Sequence, residues 1–158
     1  HDLRTDARLR SLRLSASRLS DSAALVLALA LRTNHALREL DLMGNALANA
    51  AAAALGEALR GGRNTTLAIL GLRNNSIADD GAAALADALA DNRSLRCLSL
   101  ARNRLTDACV SQWLPSSTPT RHCEPCSSAA TSLAPYHGSR SARRGIATPS
   151  ARRAGFST

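Results

Sequence analysis

Leucines recur through much of the chain with one fixed internal spacing. The pattern L-x-x-L-x-L-x-x-N-x-L occurs four times, beginning at Leu9, Leu37, Leu67 and Leu95. The starting points are 28, 30 and 28 residues apart, and only Ser17 and Ile77 depart from the pattern. A repeat of this length predicts one supersecondary unit per copy, stacked so that neighbouring copies bury a continuous core.

The L-x-L centre of each copy predicts a short strand, because alternate residues of a strand point to the same face. Its leucines face the core and the residues between them face outward. The polar residue that follows is expected where the chain leaves the strand, and a buried amide there satisfies backbone groups of adjacent copies. The positions of this expected ladder are Ser17, Asn45, Asn75 and Asn103, and the serine is expected to interrupt it.

The second half of each copy predicts a helix, since pairs of leucines there stand four residues apart on one face. The expected inward pairs are Leu25 with Leu29, Leu55 with Leu59, and Leu85 with Leu89. Capping residues are expected at the helix starts, at Asp21, Asn49, Asp79 and Thr106, and near the ends of the second and third helices, at Gly61 and Asn92. The two extra residues of the second copy are expected in a loop, at Gly61 and Gly62.

The first predicted helix is apolar nearly all round, because Val26, Leu27 and Leu31 accompany its leucine pair. Either an N-terminal segment or a partner is expected to cover it. The apolar run at 23–31 is too short to span a bilayer, so the sequence predicts no membrane segment.

A 28-residue unit of strand and helix resembles the ribonuclease-inhibitor-like subfamily of leucine-rich repeats, as in ribonuclease inhibitor, NOD-like receptors and Ran GTPase-activating protein. The resemblance covers residues 9–113. It implies an α/β fold, a curved right-handed solenoid with parallel strands on the concave side and helices on the convex side, and protein partners. The expected organisation is a partial repeat or linker at 1–8, repeats at 9–36, 37–66, 67–94 and 95–114, and a tail at 115–158.

The outward strand positions form three lateral rows that mix charged, small and isolated apolar side chains. The rows are Ser11, Glu39, Ile69 and Cys97; Arg13, Asp41, Gly71 and Ser99; and Ser15, Met43, Arg73 and Ala101. Glu39 and Asp41 are the only acids among them, and a solvated strand face accounts for this pair better than paired-carboxylate catalysis does. We therefore predict a non-catalytic scaffold that binds a protein partner on the concave face. The predicted contact residues are Arg13, Glu39, Asp41, Met43 and Arg73.

The formal charge of +8 divides unevenly along the chain, with an excess of three positive charges over residues 1–113 and five over 114–158. The segment at 115–158 is rich in Ser, Thr, Pro, Ala and Arg, so we predict a disordered basic tail. Aromatic residues make up only 2% of the chain, which excludes a stacking platform for bases. Nucleic acid is expected to bind weakly, if at all, through the tail.

The tail contains the chain's one candidate metal site. His122, Cys123 and Cys126 form half of a tetrahedral zinc pattern, and His137 is a conceivable fourth ligand. Free cysteines are the alternative, and the sequence predicts no metal and no cofactor. The cysteine spacing gives no disulfide framework, so the expected compartment is the cytoplasm, with the nucleus as an alternative.

Two other functions remain open from the sequence. Repeats of this length also occur in the Ran GTPase-activating protein, so a GTPase-activating regulator of that type is one alternative, although family likeness does not transfer activity. An RNA-associated protein that acts through its basic tail is the other. The chain is expected to be monomeric or part of a longer protein.

Overall fold

A computed structural model describes residues 3–106 of the chain, and these residues form a parallel sheet with helices packed on one side. The elements in chain order are β1 (Ser11–Arg13), α1 (Asp21–Leu31), β2 (Glu39–Asp41), α2 (Asn49–Leu59), a 3-10 turn (Arg60–Gly62), β3 (Ile69–Gly71), α3 (Asp79–Leu89) and β4 (Cys97–Ser99). The strands lie side by side in chain order, as expected when each helix crosses over to bring the next parallel strand alongside. The predicted α/β arrangement is thereby confirmed.

The strands pair at the same repeat position throughout the sheet. Each central leucine pairs with the one on the next strand, in the order Leu12, Leu40, Leu70 and Leu98. All four face the helices. The last three are at most 2% exposed. A shift of the strand pairing by one residue would turn these leucines away from the helices, to the other face of the sheet. Their burial therefore fixes the register of the short strands.

The turn that leaves each strand passes through the left-handed region at the same repeat position. The residues are Ala16, Gly44, Asn74 and Arg102, with φ of 53, 69, 56 and 58°. Only Gly44 adopts this conformation without a Cβ penalty. The tight turn redirects the chain at once from the strand toward its helix.

In the first helix, α1, the leucines that face the sheet are not the predicted ones. Leu25 and Leu29 were expected to face inward, and this prediction is wrong: they are 46% and 59% exposed. In α1 the inward positions belong instead to Leu27 and Leu31, which are partly and fully buried. In α2 and α3 the predicted leucine pairs are buried.

The reason is the position of the two-residue insertion. It lies after α2, in the 3-10 turn that contains Gly61 and Gly62, so α1 and α2 are separated by 28 residues and not by 30. Leu31 therefore corresponds to Leu59, whereas Leu29 corresponds to the exposed Glu57. Val26, at 67% exposure, completes an apolar outer face that α2 and α3 do not share.

Small residues allow the helices to pack closely. A Cβ on Gly56 of α2 would lie 3.0 Å from the Ala88 Cβ of α3, and one on Gly81 would lie 2.9 Å from the Asn49 Cα. The alanine-rich helices thus place their backbones near enough for the sheet leucines to reach a continuous core.

The asparagines that follow the strands tie neighbouring repeats together. The Asn45 amide donates to the carbonyls of Leu14 and Leu42, and its oxygen accepts from the N–H groups of Ser17 and Leu19. The amides of Asn75 and Asn103 donate to the equivalent carbonyls one and two repeats later, and their oxygens accept from the N–H groups of Leu47 and Ile77. At the first position Ser17 is exposed, and its hydroxyl donates to the carbonyl of Ser15, so it makes no bond between repeats through its side chain.

A second asparagine ladder runs along the other edge of the sheet, where each helix ends. Asn34, Asn64 and Asn92 are at most 7% exposed. Each oxygen accepts from the N–H groups two and three residues later, and each amide donates to carbonyls of the preceding repeat. These asparagines lie outside the leucine pattern and their ladder was not predicted, although their spacings of 30 and 28 residues repeat those of the strands.

A further set of polar residues stands at the helix starts, but it does not cap its own helices. Asp21, Asn49 and Asp79 accept hydrogen bonds from the N–H groups of Ala48, Ala78 and Thr106, each in the next repeat. The actual N-cap residues make no side-chain capping bond. The hydroxyl and the N–H of Thr106 both donate to Asp79, which lowers the pKa of that carboxyl below 3.8.

Candidate functional site

The face of the sheet turned away from the helices is the candidate site, and we call it the open face. Its first row is Ser11, Glu39, Ile69 and Cys97, and its second is Arg13, Asp41, Gly71 and Ser99. Strand neighbours in a row stand about 4.8 Å apart, so side chains of successive repeats contact one another. The pairing agrees with the rows deduced from the sequence.

An ion pair crosses the first two strands of the open face. The Arg13 Nη2 lies 3.2 Å from the Glu39 Oε1, and the Arg13 Nε donates to the same oxygen. The arginine side chain is 72% exposed and the glutamate 29%. An exposed pair of this kind adds little stability, so its main effect is to fix two opposite charges at the surface.

The Asp41 carboxylate is held more firmly than the ion pair. One oxygen accepts from the Ser15 hydroxyl at 2.7 Å, and the other accepts from the Met43 N–H at 3.0 Å. It also lies over Gly71, because a Cβ there would stand 2.8 Å from the Asp41 Oδ1. Asp41 therefore presents a positioned negative charge beside the Arg13–Glu39 pair.

Met43 and Arg73 complete the predicted set from the positions just after β2 and β3. Met43 is 39% exposed, and its carbonyl accepts from the Ala16 N–H. The Arg73 carbonyl accepts from the Gly44 N–H, so the backbone of Arg73 lies beside that of the preceding repeat at the same end of the sheet. The structure thus brings the five predicted residues together on three adjacent repeats.

Two residues of the site were not singled out from the sequence. Ser15 and Gly71 orient Asp41, the first by donating a hydrogen bond and the second by having no side chain. Both stand in the rows deduced from the repeat. Their function could not be read there because it depends on contacts between strands, which a repeat pattern does not specify.

The part of the chain between residues 3 and 106 offers no alternative site of metal or membrane chemistry. No group of three His, Cys, Asp or Glu side chains there could hold a metal ion. No helix in that part is long and apolar enough to cross a membrane. Cys123 and Cys126, with His122, His137 and the rest of the predicted tail, lie outside the described residues.

Comparison with known families agrees with the repeat pattern. The Leucine Rich repeat family matches residues 33–56, 63–86 and 91–110. Over these residues the chain is similar to leucine-rich repeats. No curated protein matches it.

The repeat fold is also found among solved structures. One similar structure is "Leiomodin-1 Actin-Binding Site 2 (ABS2)", with a TM-score of 0.59 and 21% sequence identity. The match covers 65% of this chain and 58% of that one, so the chain spans little more than half of the leiomodin domain. At this identity the likeness concerns the fold of the repeats.

Proposed function

We propose that this chain is a non-catalytic scaffold that binds a protein partner on the open face of its leucine-rich repeats. The observation that carries the proposal is the fixed charge pattern on that face. Asp41 is held by two hydrogen bonds and stands beside the Arg13–Glu39 pair, while Met43 offers an exposed apolar contact. Complementary charges around apolar contacts give protein interfaces their orientation and specificity.

The finer architecture belongs to the same proposal. Repeats of 28 to 30 residues, each with a complete helix of 11 residues, support a ribonuclease-inhibitor-like solenoid of right-handed form. In that form the open face is the concave side. We propose the cytoplasm as the compartment, with the nucleus as the alternative.

The partner's identity is a separate part of the proposal. The leiomodin domain is titled as an actin-binding site, and actin is therefore the first purified protein to test. Nothing in the described residues favours the GTPase-activating alternative of the Ran type. The RNA alternative concerns the tail, and its own test is salt-dependent RNA binding that is lost when residues 115–158 are deleted.

The proposal is tested by charge reversal on one face at a time. Glu39→Arg places a second positive charge beside Arg13, and we expect it to weaken capture of the partner roughly threefold or more. The matched control is Glu57→Arg, which makes the same charge change on the helix layer at a side chain of 53% exposure. Affinity capture with tagged full chain, measured by quantitative mass spectrometry, compares the two. Equal capture by wild type and Glu39→Arg would contradict the proposal.

A further inference from the structure

Most arginines of the described chain lie at one edge of the sheet. Nine of its fourteen arginines lie in the four segments that lead into the strands, 3–10, 32–38, 60–68 and 90–96. Those segments contain only two acids, Asp6 and Asp91. The remaining described residues hold five arginines against seven acids. The segments that leave the strands, 14–20, 42–48, 72–78 and 100–106, hold four arginines and no acid, so the edge that leads into the strands carries the larger basic excess.

Three of these arginines form a row by backbone pairing. The Arg10 carbonyl accepts from the Arg38 N–H at 2.8 Å, the Arg38 carbonyl accepts from the Ala68 N–H at 2.8 Å, and the Ala68 carbonyl accepts from the Arg96 N–H at 2.7 Å. Arg10 and Arg38 are thus immediate neighbours, and Arg96 stands two strands, or about 10 Å, beyond Arg38. All three are exposed.

Part of the basic excess has a local explanation. Arg32 and Arg60 stand at helix C-termini, where a positive charge is favourable to the helix dipole, and Arg60 and Arg63 pair with Glu57. Arg38 and Arg96 have neither explanation. They lie beyond the helix ends, next to the strands, and take part in no ion pair within residues 3–106.

We propose that this basic edge, defined by Arg8, Arg10, Arg38, Arg93 and Arg96, binds an acidic polypeptide segment that lies across the repeats. Same-face side chains of an extended segment recur about every 7 Å, a spacing that flexible arginines one and two strands apart can meet. Nucleic acid fits less well. None of the chain's three aromatic residues lies between residues 3 and 106, so this edge has no ring on which a base could stack.

The proposal is tested with a fluorescein-labelled polyglutamate peptide and the full chain, by fluorescence anisotropy at two ionic strengths. Arg38→Gln/Arg96→Gln is expected to weaken peptide binding about threefold to tenfold, since it removes two exposed charge contacts. The matched control is Arg18→Gln/Arg104→Gln, which removes the same charge from one repeat position at the opposite edge. We expect the control to change binding by less than about twofold. Circular dichroism verifies that both variants fold.

Three results would overturn the proposal. Absence of peptide binding by the wild-type chain is the first. Equal losses in the two double variants would show that only total charge matters, the tail's arginines included. Tighter binding of oligouridine RNA than of the peptide, with the same dependence on Arg38 and Arg96, would assign the edge to nucleic acid. Peptide binding that depends on Arg38 and Arg96 while partner capture does not would separate the basic edge from the open face, so failure of one proposal does not decide the other.

Discussion

Single buried amides stabilise the junctions between repeats. Asn64 is fully buried, and its side chain donates to the carbonyls of Leu31 and Asn34 while it accepts from the N–H groups of Thr66 and Leu67. These four backbone groups lie where the chain passes from helix to strand, and strand pairing cannot reach them. One asparagine side chain thus supplies hydrogen-bond partners to four backbone groups that would otherwise lack them.

Asn64→Ala is expected to lower the free energy of unfolding by about 3 kcal/mol or more, because it leaves buried donors and acceptors without partners. Urea denaturation monitored by circular dichroism measures the loss. Thr65→Ala, at the exposed neighbouring position, is the control and should change stability by no more than about 0.5 kcal/mol. A similar small effect of both substitutions would mean that the ladder does not hold the repeats together.

Asp79 makes the free energy of unfolding depend on pH in the acid range, and the stability falls as the pH falls. Hydrogen bonds from Thr106 lower the pKa of Asp79 in the folded chain, so its contribution is present above pH 3.8 and is lost as the pH falls through the folded pKa. Asp79→Asn keeps an acceptor, as Asn49 does one repeat earlier, but cannot titrate. We expect its unfolding free energy to fall less steeply than that of the wild type below pH 3.8.

The control for this measurement is Asp80→Asn, which removes the adjacent, exposed carboxyl and none of the bonds to Thr106. Asp6, whose pKa is lowered by bonds from the N–H groups of Arg8 and Leu9, contributes a slope of the same sign to every variant. An equally steep fall of the unfolding free energy in Asp79→Asn and in the wild type would contradict the linkage to Thr106.

At the scale of elements, the strands and helices differ in how well sequence predicts them. The strand register follows from leucines at every second position, and the structure reproduces it. The first helix was placed wrongly because an alanine-rich and leucine-rich helix allows two leucine registers, Leu25 with Leu29 or Leu27 with Leu31. The insertion after α2, at the predicted Gly61 and Gly62, decides between them, because it leaves α1 and α2 28 residues apart, whereas the pair Leu25 with Leu29 requires an offset of 30.

The helix register is tested by substituting one leucine of each set. Leu31→Ala removes a fully buried side chain and is expected to cost about 2 to 4 kcal/mol. Leu29→Glu introduces the residue that α2 carries at the same repeat position, Glu57, and is expected to cost no more than about 0.5 kcal/mol. Thermal unfolding compares the two. A larger loss from Leu29→Glu would restore the register that the structure rejects.

The asparagines at the helix ends show a different limit of sequence analysis. They lie outside the leucine pattern, and only Asn92 stood out, as a residue near a helix end. Their spacings of 30 and 28 residues match those of the strands, but the function of the asparagines depends on carbonyls of the preceding repeat that meet each amide only after the helices and strands are stacked. The same holds at the open face, where Ser15 and Gly71 orient Asp41 from adjacent strands.

At the scale of the whole molecule, the stacked repeats divide the surface into a helix layer and an open face. The helix layer seals one side of the sheet, and the other side carries the rows that include Arg13, Glu39 and Asp41. Each repeat contacts mainly its neighbours and contributes one strand to the sheet. The outward side chains of all four strands therefore lie side by side on the open face. The central claim is that a protein partner binds there and not on the helices.

Site-specific photo-cross-linking tests this claim most directly. A benzoylphenylalanine at position 99 replaces Ser99 on the open face, and one at position 87 replaces the exposed Asp87 on the helix layer. After irradiation in cell extract, we predict a discrete cross-linked protein from position 99 that disappears with Glu39→Arg, and none from position 87. Cross-linking from position 87 alone, or equally from both positions, would contradict the account.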